Sequence, residues 1–475
     1  MVRLKSALEA AVALALTLAA PALAAPRPSE TRPNIIVILA DDLGYGDLGV
    51  QGGRDVRTPN IDRLARYGVR LTDFYANGAT CAPSRAALMT GRYQQRFGFD
   101  NNPGAAQRDD ATFGLPRGRQ TLPERLKARG YATGMFGKWH LGFTPTNTPA
   151  ARGFDTFYGF LDGAMAYTPE GASGSKSMMR GMSPAPMPAH TTEAFTDEAV
   201  NFIEANKDRP FFVYAAYNAV HAPLQSTPAY LARPAGIKDP RRQTYLAMLE
   251  ALDDGVGKIV DAVDRNGLAK NTVIVFTSDN GGPTWQTTAS NGPLNGVKAL
   301  ALEGGIRVPA IVRWTGTAPA GRTIATLAMG FDITATALSV AGAPADADLD
   351  GVDLTPFLTG SRTGDAHRAL FWRGASQGAM RQGSWKLLKV EDTYYLFDLQ
   401  RDIGERNDLA ARNPKQLAEM KDEWTAWSDR MAPARWGTLS RASSAGAGEL
   451  KALVEAYVKG RPANPRSLLY GGGPE

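Results

Sequence analysis

The chain has 475 residues, of which 53 are Lys or Arg and 47 Asp or Glu, giving a net charge of +6 with 43% apolar residues. That composition excludes a disordered chain, a collagen and a coiled coil, and no dense Lys/Arg run marks a nucleic-acid partner. Gly (50) and Pro (31) add loops without making a low-complexity architecture. At the N-terminus, Arg3 and Lys5 precede an uncharged stretch over residues 10–25 broken only by Thr17 and Pro21, and Ala22-Leu23-Ala24 fits a small-x-small cleavage pattern. Residues 1–24 therefore read as a signal peptide, and the chain is expected to be exported, to the periplasm or the medium. The stretch falls short of the ~20 residues that a span needs, and no later one approaches that length, so no membrane partner is expected.

After a Pro-rich leader, Asn34–Ala40 (NIIVILA) reads as a strand buried on both faces. Thr58 and Pro59 then open a helix as N-cap and first-turn proline. The strand pattern returns at 211–216, 272–276 and 308–312, with helical periodicity over 193–206 and 241–263. Strands alternating with helices predict one large α/β domain over 25–365. The stretch 163–190 resembles a long surface loop, equally an insertion or a substrate-contacting segment. From residue 366 to 475 a smaller α+β subdomain with an antiparallel sheet is expected. Its short alternating segments lie at 379–389 and 393–399, and a helix covers 414–431. The tail beyond about 433 reads as partly disordered or as lying across the main domain.

Cys81 is the only cysteine, so no intramolecular disulfide can form. A lone thiol in an oxidising compartment is a liability unless it is buried, lipidated or converted. It opens the segment Cys81-Ala82-Pro83-Ser84-Arg85. A buried structural thiol would also account for it. Asp41-Asp42 and Asp279-Asn280 follow two predicted strands, whose C-terminal ends face one crevice of an α/β sheet. Four oxygen donors there favour Ca²⁺ or Mg²⁺ over zinc.

Residues 81–92 resemble the sulfatase signature C-x-P-S-R-x-x-L-x-T-G, and Gly130–His140 resembles G-Y-x-T-x-x-x-G-K-x-H. Over nearly all of residues 33–430 the chain is identified as a member of the type I, formylglycine-dependent sulfatases. The resemblance implies an alkaline-phosphatase-like large mixed sheet flanked by helices. It implies that a formylglycine-generating maturation enzyme oxidises Cys81 to Cα-formylglycine before folding. A hydrated aldehyde has one hydroxyl to attack sulfur and another to expel sulfate by C–O cleavage, a covalent route with an easy second step.

The resemblance further assigns Asp41, Asp42, Asp279 and Asn280, with residue 81, to one divalent metal, usually Ca²⁺. Lys138 offers a charge to a sulfate oxygen, and His140 holds or deprotonates the aldehyde hydrate. His221 and Lys298 grip the sulfate and help protonate the leaving oxygen, and Arg85 orients the nucleophile and its metal-side neighbours. Lys298 lies in Val-Lys-Ala-Leu-Ala-Leu where relatives show Gly-Lys-x-x-x-(Tyr/Trp), although its spacing to Glu303-Gly304-Gly305 is kept. His190, His367, Arg307 and Asp332 stay outside the site. Tyr394–Leu399 with Asp402, Glu405 and Asn407 resembles the family's C-terminal hairpin, departing at Ile403.

The runs around Lys138 and His140, 152–160 and 218–225 resemble sulfatases acting on sugars such as N-acetylgalactosamine, which makes a sulfated saccharide or smaller sulfate ester the expected substrate. Two alternatives stand beside this: a phosphonate monoester hydrolase or phosphodiesterase of the same superfamily, and a non-catalytic binder of sulfated glycans if Cys81 is unconverted. A two-zinc phosphatase is disfavoured, since four histidines supply too few nitrogen ligands.

Overall fold

Every residue of Asn34–Ala40 is buried, as an uncharged β-branched run requires of a strand covered on both faces. The computed structural model describes residues 32–103, 110, 112–171, 177–374, 376–436, 448–461 and 465. The signal peptide expected over 1–24 lies outside them. Asn34–Ala40 sits inside a ten-stranded sheet. Its order is Arg322–Ile324, Val69–Leu71, Ala310–Trp314, Thr272–Ser278, Asn34–Ala40, Phe211–Ala216, Ala132–Lys138, Thr156–Phe160, Met178–Arg180 and Ser183–Ala185. The five strands from Thr272–Ser278 to Thr156–Phe160 are mutually parallel, so their C-terminal ends share one edge. Ala310–Trp314 runs antiparallel to Thr272–Ser278, which makes the sheet mixed.

The two faces follow from the period-2 alternation of side chains. Ile35, Val37 and Leu39 join the core under the helices Cys81–Thr90, Leu122–Lys127 and Phe331–Val340. Ile36, Ile38 and Ala40 join the one under Pro59–Arg66, Thr191–Ala205 and Pro240–Arg265. Among the described residues, no helix is long and apolar enough to cross a membrane.

A second, four-stranded antiparallel sheet is built from Leu370–Arg373, Gln377–Gln382, Trp385–Val390 and Thr393–Asp398. One face (Ala379, Leu388, Tyr395, Phe397) packs into a core with Val297, Leu300 and Leu302. The other (Met380, Leu387, Leu396) packs on Met420 and Trp424 of the helix Pro414–Asp429. The expected fold class holds: a large mixed sheet flanked by helices, with a small antiparallel sheet toward the C-terminus.

Several elements differ from the sequence reading. The segment expected over 379–389 is a hairpin turning at Gly383, whose φ of 53° suits glycine. The strand expected at 308–312 lies at Ala310–Trp314. The strands Ala132–Lys138 and Thr156–Phe160 carry glycines that dilute the apolar signal. Gly137 is there because a Cβ would come 1.9 Å from the Ala216 carbonyl oxygen of the next strand. The stretch 163–190 holds Met178–Arg180 and Ser183–Ala185, which extend the sheet, so it is more than a surface loop. In the tail, Glu449–Val458 is a helix that buries Leu450, Leu453, Val454 and Val458 in the core under the antiparallel sheet.

Candidate active site

The parallel register delivers the acidic residues. Ala40 pairs with Ser278, so Asp41 and Asp279 leave the sheet side by side, with the Asp279 amide donating to the Ala40 carbonyl at 3.2 Å. Asp42 takes a left-handed backbone (φ 62°), and its Oδ1 accepts from Asn280 Nδ2 at 2.7 Å. The loop after Phe211–Ala216 is stitched to the same point: the Asp41 amide donates to Ala219 O (2.9 Å) and the Val220 amide to Asp41 O (2.8 Å). That loop carries His221, whose Nε2 lies 3.6 Å from Asp42 Oδ2. Ala132–Lys138 ends on Lys138, whose Nζ reaches Asp41 Oδ2 at 2.5 Å.

Cys81 stands at the first turn of Cys81–Thr90, a helix buried at all ten positions. Its thiol donates to Asp41 Oδ1 at 3.4 Å, and Lys298 Nζ lies 3.3 Å from its sulfur and 2.8 Å from Asp42 Oδ2. Arg85, one turn on, is fully buried. It donates from Nε to Asp279 Oδ2 at 2.8 Å and from Nη1 to the Lys138 carbonyl at 2.7 Å. Three carboxylates (Asp41, Asp42, Asp279) thus face three cations (Arg85, Lys138, Lys298), all essentially out of water. Buried charges persist only when paired in this way.

The charge balance sets the protonation states. Burial pushes Asp41 up, but Lys138, His221, Arg85 and Lys298 together overcome it and hold the carboxyl well below its usual range. Burial and the Asp41 charge push Asp279 up to about 6 against Arg85, and the Cys81 thiol up to about 12. A buried thiol so far from ionising is a poor nucleophile at neutral pH. Burial and Lys298 push His221 down to about 4. Its Nδ1 lies 2.6 Å from the Ala222 carbonyl, which can only accept, so Nδ1 carries the proton and Nε2 faces Asp42 as a free lone pair.

All ten predicted site residues lie at this sheet edge, but their roles divide. Ligand atoms of Asp41, Asp42, Cys81 and His221 come within 4.8 Å of one another, a grouping that adds His221 to the expected metal set. Asp279 is turned onto Arg85 and, at 3.4 Å, the Asp42 amide. Asn280 Oδ1 is buried with no hydrogen-bond partner, as a cation ligand would be without its cation. The donor set and that orphaned oxygen fit a hard divalent ion. His140 also has a left-handed backbone (φ 61°) and a buried, unpartnered Nδ1, and burial with Lys138 pushes its pKa well down.

Tyr167 was not legible in the sequence. From the 163–190 stretch its Oη lies 2.5 Å from the Asn218 carbonyl and 2.8 Å from that of His221, holding the histidine loop. No motif surrounds it. His190 and His367 are structural, as expected: His190 pairs with Glu193 and His367 with Asp332.

Known proteins bear on this arrangement. The Sulfatase family profile matches residues 33–343, and a second, N-sulphoglucosamine sulphohydrolase, C-terminal, matches 297–427. N-acetylgalactosamine-6-sulfatase of Mus musculus is 35% identical over 385 residues, covering 76% of this chain and 72% of the mouse protein. Steryl-sulfatase of Mus musculus is 32% identical, covering 85% and 82%. The crystal structure of Ps i-CgsB in complex with k-i-k-neocarrahexaose is 35% identical with a TM-score of 0.81, covering 91% of this chain and 98% of that one. Likeness of this extent spans both the parallel sheet that gathers the charges and the strands that flank it, and the chain belongs to the sulfatase family.

Proposed function

We propose that this sulfatase-family hydrolase removes sulfate from saccharide esters. Residue 81, converted from cysteine to Cα-formylglycine, would act as nucleophile, and one Ca²⁺ or Mg²⁺ would be held by Asp41, Asp42, Asp279 and Asn280 together with residue 81. The observation that carries the reading is the lone Cys81 of the C-x-P-S-R segment, buried against Asp41 and Lys298 with a thiol too basic to serve as it stands. As a hydrated aldehyde, residue 81 would supply a hydroxyl for attack on sulfur and a second hydroxyl for release of sulfate. A divalent cation would supply fixed positive charge for the sulfate oxygens. The chain's own residues do the rest. Lys138 and Lys298 offer ammonium groups to a bound sulfate, Arg85 fixes Asp279, and His221 and His140 present unprotonated ring nitrogens at neutral pH.

The names of relatives support the substrate class: one acts on N-acetylgalactosamine 6-sulfate by its name, and another was crystallised with a carrageenan-type oligosaccharide. The apolar leader over residues 10–25 supports export, and the reading calls for a maturation enzyme acting on Cys81. The test is sulfate release by the metal-loaded protein, produced with a formylglycine-generating enzyme, from sulfated galactosamine, carrageenan oligosaccharides and p-nitrophenyl sulfate, beside a phenyl phosphonate ester. Sulfate from the sugars is expected. Turnover of the phosphonate ester above every sulfate would replace this reading with the phosphonate hydrolase one.

A further inference from the structure

Lys298 is a point charge on a flexible four-carbon stem, so its aim depends on how firmly its backbone is held. The next residue, Ala299, has a left-handed backbone with φ 72°. For an alanine that conformation is strained, and it persists only where surrounding contacts fix it. On one side the fixing contact is local to the nucleophile: the Ala299 amide donates to Ala79 O at 2.8 Å, two residues before Cys81. On the other side it comes from the antiparallel sheet. Gln377, first residue of Gln377–Gln382, donates from Nε2 to the Ala299 carbonyl at 2.5 Å and accepts at Oε1 from the Ala301 amide at 2.8 Å. A carbonyl and an amide presented together admit a single orientation of that side chain.

We infer that Gln377 is a positioning residue that aims Lys298 at residue 81 by clamping the 299–301 turn. The inference rests on the reading of Lys298 as part of the sulfate-ester site. The sheet and the loop that follows it hold the rest of the segment too: Glu405 Oε2 accepts from the Glu303 amide at 2.7 Å, and Lys386 Nζ lies 2.9 Å from Glu303 Oε1, all buried. The segment in turn braces the acidic loop, with the Gly281 amide donating to Gly305 O at 3.0 Å and the Lys298 amide to Gly282 O at 3.3 Å. Gln377 is the handle nearest Lys298 in sequence. Its loss frees a carbonyl and an amide at the strained turn.

The test is a double-mutant cycle on the full-length, metal-loaded, converted enzyme. Gln377→Met keeps the side-chain volume and removes both hydrogen bonds, and Gln377→Ala removes volume as well. Each should lower kcat by about tenfold to a hundredfold, since small displacements of a catalytic charge cost that much. Neither should cost anything further in a Lys298→Ala background. Equal losses in both backgrounds, or full activity of Gln377→Met, would overturn the inference. Should Gln377→Ala fail to fold, the Met variant carries the test alone. A crystal structure of Gln377→Met answers independently of which ester is cleaved: Lys298 Nζ should have left hydrogen-bond distance of Asp42, beyond about 3.5 Å. If it has not moved, the inference falls even though the sulfatase reading stands. If wild-type enzyme releases no sulfate while Nζ has moved, the reading falls and the positioning role stands.

Discussion

Two side chains beside residue 81 could hand a proton to the departing oxygen, and their chemistry separates them. His221 has its Nδ1 proton committed to Ala222 O, and burial with the Lys298 charge pushes its pKa to about 4. At neutral pH its Nε2 therefore bears a lone pair. Lys298 presents an ammonium 3.3 Å from the Cys81 sulfur. The sequence resemblance gave both residues a share in leaving-group protonation; with a lone pair on His221 and an ammonium on Lys298, we propose that the larger share falls to Lys298. A sugar alkoxide needs the proton and a nitrophenolate scarcely does. Lys298→Ala should therefore slow sugar sulfates about a hundredfold more than p-nitrophenyl sulfate, whereas His221→Ala should slow both alike. Comparing kcat/KM on the two substrates checks this. A larger selective loss in His221→Ala would return the proton to the histidine.

At the scale of elements, one contact outside the site ties the helix Phe331–Val340 to the approach of the antiparallel sheet. His367 Nε2 lies 2.8 and 3.0 Å from the two oxygens of Asp332, which also accept from the Met329 and Val352 amides. Burial pushes the His367 pKa down, but Asp332, with Asp350 and Asp365, outweighs it and raises the value above 6.5. A group whose folded pKa is raised contributes stability that is complete below its ordinary value and is lost as pH rises through the folded one. His367→Gln should therefore lower Tm more at about pH 6 than at about pH 9. Equal shifts at both would mean the pair contributes through packing alone. The elements themselves were unevenly legible. Asn34–Ala40 and Thr272–Ser278 announce themselves because both faces are covered and each is an uncharged run rich in β-branched residues. Ala132–Lys138 does not, because close approach to its neighbour demands Gly137 where a strand former would otherwise stand.

Across the whole molecule, most residues that carry charge at the sheet edge were legible because they sit in short motifs at a strand or helix end, while Lys298 was read from its spacing to Glu303-Gly304-Gly305. Arg85 and Asp279 are such a pair, 194 residues apart in sequence and 2.8 Å apart in space. What local sequence could not supply are the groups that act through others. Tyr167 and Gln377 lie in unremarkable stretches, and their importance comes from which carbonyls the tertiary fold sets opposite them. The inclusion of His221 among the clustered ligand atoms is likewise a product of the loop being sewn to Asp41. All of this converges on residue 81, so its chemical state is the most direct test. Protein purified from a host that converts such cysteines, and shown to release sulfate, should be digested and the peptide carrying residue 81 weighed. An aldehyde mass in proportion to the active fraction is the predicted result. Full sulfate turnover from protein whose Cys81 is an intact, alkylatable thiol would contradict the account.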